Sequence, residues 1–87
     1  MGAPDAKGYA GADYTLQDVR IARSHLGPER SQAIAVTAMN NAGAVQNKAR
    51  EWVWKDSGQR LKSYKVAHII ATVGSDALMA EYRRVTA

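Results

Sequence analysis

The sequence predicts an all-α fold, a compact bundle of about five short helices with no sheet. Three observations carry that expectation. Apolar residues recur every three or four positions over most of the chain beyond residue 14. Gly, Pro, Asn and Ser punctuate those stretches, where helices start or stop. No stretch alternates apolar and polar side chains with period two, and no hairpin signal appears.

Residues 1–14 are rich in Gly and Ala, with Pro4 near the start, and read as a flexible N-terminal arm that includes Tyr9 and Tyr14. Residues 15–87 form a single helical domain. Thr15 is placed to cap a first helix carrying Leu16, Val19, Ala22 and Leu26 on one face. Gly27 and Pro28 stop it, and Pro28 suits the first position of a second helix. There Ile34, Ala35, Ala38 and Ala42 give a small-residue face. Asn40, Asn41 and Gly43 are poor helix formers, costing up to about 1 kcal/mol each relative to Ala. A third helix is expected over residues 44–55, ended by Asp56, Ser57 and Gly58. Ser63 caps a fourth, whose stripe is Val66, Ile69, Ile70 and Val73, and Gly74 ends it. Ser75 caps the last, with Leu78, Tyr82 and Val85 on one side.

Composition narrows the function. The chain has 87 residues and no Cys, which excludes disulfides, Cys-zinc sites and thiol chemistry. No apolar run reaches the length of a membrane span or signal-peptide core, so a soluble, cytoplasmic protein is expected. The net charge is +4. Residues 1–29 hold three basic and four acidic groups, residues 30–65 seven and two, and residues 66–87 two of each. A localised basic excess suits a polyanionic partner.

The decisive window is residues 38–52. A helical pattern runs into Gly43 and a second one leaves it, with Ala44, Ala49 and Trp52 one, six and nine positions beyond. Such spacing packs the second helix of a helix-turn-helix on the first. Yet Ala38, Ala42, Val45, Ala49 and Trp52 also step by four and three, which suits one unbroken helix over residues 28–55. Both readings stand at this point.

Residues 32–74 resemble the helix-turn-helix core of phage regulators of the Cro, CI and CII type. The resemblance rests on Gly43, Trp52, the basic stretch from Lys55 to Lys65, the stripe from Val66 to Val73, and the Gly74, Ser75, Asp76, Ala77, Leu78 tail. Two positions depart from the family pattern. Met39 stands where a small Ala is usual, and Ala44 or Val45 where a Ser or Thr cap is usual. The resemblance implies a recognition helix at residues 44–55 lying in the major groove of double-stranded DNA, and a homodimer or higher oligomer.

On that helix Gln46, Asn47, Arg50 and Glu51 are the expected base contacts, because Gln and Asn pair with adenine and Arg with guanine. Lys48, Lys55, Arg60, Lys62 and Lys65 are the expected phosphate contacts. Trp52 reads as a core anchor. Trp54, two positions on, turns to the opposite helix face and with Tyr82 is the expected oligomer or partner contact. His25 and His68 stand apart from each other and from any ligand-spaced partner, so no catalytic residue, metal or cofactor is expected and an enzyme is not. The sequence thus points to a small sequence-specific transcription regulator. The alternative is a non-enzymatic helical interaction module, a phage-type inhibitor or assembly factor, whose long helix 28–55 meets an acidic protein.

Overall fold

The structure is a computed structural model, of which residues 13–87 are described. The expected arm over residues 1–14, Tyr9 included, lies almost wholly outside the described residues. Tyr14 is inside them and buried, and its hydroxyl donates to Asp76.

The first half of the domain follows the local signals. Helix α1 spans Leu16–Leu26. The Thr15 hydroxyl accepts the Asp18 N–H at 3.1 Å, and the Asp18 carboxylate accepts the Thr15 N–H at 2.9 Å. This reciprocal capping box satisfies donors that a helix start otherwise leaves bare. Gly27 ends the helix at φ 89°, a conformation that costs glycine little. Pro28 then opens α2, Pro28–Asn41, where its missing N–H is of no consequence.

The helix breaks where the window left two readings open, and neither reading survives. Ala42 caps α2, and Gly43 takes φ 95°. Beyond it comes a hairpin: β1, Ala44–Gln46, pairs antiparallel with β2, Trp52–Trp54. Ala44 faces Trp54, Val45 faces Val53, and Gln46 faces Trp52. The all-α expectation is therefore wrong. There is no recognition helix over residues 44–55 and no continuous helix over residues 28–55. The reason lies in the side chains. Trp52, Val53 and Trp54 are aromatic and β-branched, types that fit a pleated surface better than a helix. The apparent helical stripe was not a face at all, since Ala42 and Ala49 are exposed.

The sheet has a third edge. Gly58, at φ 76°, donates its N–H to the Trp54 carbonyl at 2.7 Å and turns the chain back. Trp54 N–H then meets the Gln59 carbonyl at 2.8 Å, and Leu61 N–H the Trp52 carbonyl at 2.9 Å. Val53 bridges Arg60 and is only 7% exposed. Asp56, Ser57 and Gly58 were expected to end a helix; they turn a strand.

The rest of the chain forms one long rod rather than two capped helices. Helix α3, Ser63–Ile69, runs into a π-helical segment, Ile70–Gly74, and on into α4, Ser75–Thr86. The backbone stays right-handed through Ile70, Gly74 and Ser75. So Gly74 does not end a helix and Ser75 does not cap one. Ser75 is 3% exposed, and its hydroxyl donates to the Ile70 carbonyl at 3.4 Å. Thr72 does the same for the His68 carbonyl at 2.7 Å. Carbonyls displaced by a π-turn need such partners. Nor does Ser63 cap α3, whose N-cap is Lys62 with no side-chain bond.

Two apolar clusters hold the fold. Tyr14, Val19, Ala22, Leu78 and Met79 join α1 to α4, with Leu26, Ile34 and Tyr82 against them. Met39, Ala44 and Ile69 join the end of α2 to the hairpin and α3, covered by Trp52, Trp54, Leu61, Val66 and Ile70. Helix α2 lends residues to both. Glu81 of α4 bonds Arg30 of α2 and Arg84 of its own helix, the latter at 2.8 Å. Hydrogen bonding to Arg84, then to Arg30, holds its carboxyl down to about 2, from 4.5.

A depressed carboxylate stabilises the fold fully above its unfolded pKa and stops doing so as pH falls through the folded one. Glu81 therefore contributes fully above pH 4.5 and loses that contribution toward pH 2. Urea unfolding across this window should show Glu81→Gln losing less stability on acidification than the native chain. Parallel pH profiles would contradict the assignment.

Candidate nucleic-acid interface

The β1–β2 turn is built by one side chain. Asn47 N–H donates to the Glu51 carbonyl and Arg50 N–H to the Asn47 carbonyl, both at 3.0 Å. Lys48, Ala49 and Arg50 form the loop between them. The Asn47 side-chain oxygen accepts the N–H groups of Ala49 and Glu51, both at 2.9 Å. Such an Asx turn takes over bonds that a longer ladder would otherwise supply. Arg50 closes the loop at φ 64°, the left-handed position that three-residue hairpin loops require. Side chains rarely adopt it, and the cost is of order 1–2 kcal/mol.

The four expected base-contact residues do come together, but around this turn and not along a helix face. Two of them are occupied by it. Asn47 uses its oxygen in the turn, and its amide donates to Glu51 at 3.1 Å. Glu51 also takes a bond from Arg60 at 2.6 Å. The Asn47 bond first, and then Arg60, lower the Glu51 pKa, so it stays a carboxylate. Gln46 and Arg50 are exposed, with a single 3.4 Å bond from the Gln46 amide to the Arg50 carbonyl.

The expected phosphate contacts are spread along the same unit. Lys48 sits in the turn, Lys55 follows β2, Arg60 lies on the third edge, and Lys62 and Lys65 flank the start of α3. Residues 44–65 hold six basic and two acidic groups, which equals the net +4 of the whole chain. Among the described residues, Arg30, Arg83 and Arg84 are in ion pairs, whereas Lys48, Arg50, Lys55, Lys62 and Lys65 are in none. Arg20 and Arg23 of α1 are also in no ion pair, but basic and acidic groups are equal in number over residues 13–43 and over residues 66–87, so the net charge of the described residues lies in residues 44–65.

The aromatic residues are placed differently from expectation. On a strand, positions two apart share a side. Trp54 thus lies on the same side as Trp52, not opposite it, and both are half-buried against Met39, Ala44 and Ile69. Tyr82 is half-buried on the α1–α4 cluster, its ring edge-on to His25 at 5.3 Å. Much of each side chain is covered within this one chain.

One feature of the site escaped the sequence. The hairpin and α3 enclose an open groove of about 810 Å³, lined by Trp52, Leu61, Val66 and Ala67 together with Arg60 and Lys62. The Trp52, Val53, Trp54 run was the signal available for it.

No family model, curated protein or solved structure matches the chain. Among the described residues no helix is long and apolar enough to cross a membrane.

The turn makes a separable test. Arg50→Gly removes the left-handed penalty while adding the smaller entropic cost of glycine, so a gain of roughly 0.5–1 kcal/mol is expected. Thermal melts should show a higher midpoint for Arg50→Gly than for the native chain. An unchanged or lower midpoint would contradict the turn geometry.

Proposed function

We propose that this protein is a small, non-enzymatic DNA-binding regulator that presents a basic β-hairpin to duplex DNA. The observation that carries this reading is the placement of charge. The whole net charge of the chain sits on the hairpin unit, and five of its six cations have no acidic partner among the described residues. The major groove admits a two-stranded ribbon as readily as a helix, and β-ribbon readers use it so.

The roles divide by chemistry. Lys48, Lys55, Lys62 and Lys65 neutralise phosphates, which gives affinity without sequence information. Arg50 and Gln46 are the base readers, because their donors are uncommitted or nearly so at the tip. Asn47 and Glu51 hold the loop that aims them. Arg60 is positioned by Glu51 and belongs to the scaffold of the same unit.

Binding to duplex DNA should weaken steeply with salt, by about 0.9 log unit per log unit of salt for each phosphate neutralised. Lys62→Ala should weaken all sequences alike and lower that slope by about 1. Gln46→Ala and Arg50→Ala should relax sequence preference in a selection from random duplexes. No binding to any duplex at low salt overturns the reading.

A further inference from the structure

We propose that the groove between the hairpin and α3 holds one unstacked nucleobase, giving the protein a grip on single-stranded DNA that shares Lys62 with the hold on duplex but adds the apolar wall at Trp52 and Ala67. The inference rests on the DNA-binding reading above and assigns the substrate class of the surface beside the hairpin tip.

The groove combines the two things such a ligand requires. Its lining is apolar and carries an aromatic ring: Trp52, Leu61, Val66 and Ala67. Every base presents a flat π-face to such a ring, and stacking on it does not depend on sequence. The rest of its lining, Glu51, Arg60, Lys62 and Ser63, includes two cations. Arg60 and Lys62 stand beside the apolar residues, where the phosphates that flank a base would run. Glu51 also lines the groove, but its charge is met by Arg60 at 2.6 Å. Lys62 has no acidic partner among the described residues, so the groove keeps a net positive charge.

The occupant follows from that complementarity. An apolar peptide would use the Trp52 wall and leave Lys62 unmet, whereas a nucleotide uses both. A base within a duplex has its faces covered by its neighbours in the stack. Only an unpaired or displaced base can offer a face to Trp52.

Ala67 gives a clean way to close the groove. It lies on α3, lines the groove and is exposed, so Ala67→Gln fills space without changing charge or core. The full chain and this variant are titrated with a labelled oligo-dT strand and with a labelled duplex of the same length. The native chain should bind both. Ala67→Gln should lose about fivefold or more in oligo-dT affinity, the loss of one stacked base, with duplex affinity unchanged. In a Trp54→Phe background Trp52 is the sole tryptophan, and its emission should be quenched by oligo-dT. The affinity comparison stands whether or not that second variant folds. Equal losses for strand and duplex, no loss for either, or unquenched Trp52 in a folded Trp54→Phe chain would overturn the groove assignment and leave the hairpin reading intact. Failure to bind either DNA would overturn the hairpin reading itself.

Discussion

The architecture turns on the reversal at Gly43. Its positive φ ends α2 within one residue and sends the chain back as a strand. The Gly43 carbonyl accepts the Lys55 N–H at 2.9 Å, which ties the open end of the hairpin to the helix it leaves. An added Cβ would come no closer than 4.0 Å to Trp54, so the need for glycine here is conformational and not steric. Without that reversal Ala44 would not reach the cluster with Met39 and Ile69, and the hairpin would have no floor.

From this one bend the division of labour follows. The helical half neutralises its own charge, with Glu81 joining α2 to α4 and Asp13 meeting Arg83 at 3.2 Å. The hairpin half buries Val53, half-buries both tryptophans and leaves its cations outside. An isolated two-stranded hairpin is marginal in water. Here the third edge at Arg60 and the packing on Met39 supply what two strands lack. A rigid mount of this kind lets a strained residue such as Arg50 persist at the tip, where strain and exposure coincide.

How much of this was legible in the sequence depends on where the signal was local. Thr15, Gly27 and Pro28 act through their immediate neighbours, and the boundaries of α1 and the start of α2 came out as expected. The hairpin did not, because each strand is three residues long, too short for alternation to show. Its turn also places Arg where Gly or Asn is the usual cue. Gly74 misled in the other direction, since a buried glycine inside a packed rod looks the same in sequence as one that stops it. The cluster of Gln46, Asn47, Arg50 and Glu51 was found for a reason that does not hold: they converge on a turn, not along a helix. The groove needed Trp52 and Ala67 to meet across the fold, which no local pattern records.

The central claim is that the hairpin and not a helix is the face that meets DNA. Amide shift changes recorded by NMR during titration with a short duplex test it most directly. The account predicts the largest changes at Gln46, Lys48, Arg50, Lys55 and Lys62, with α1 and α4 nearly silent. Changes concentrated on α1 or α4, with the hairpin silent, would contradict it.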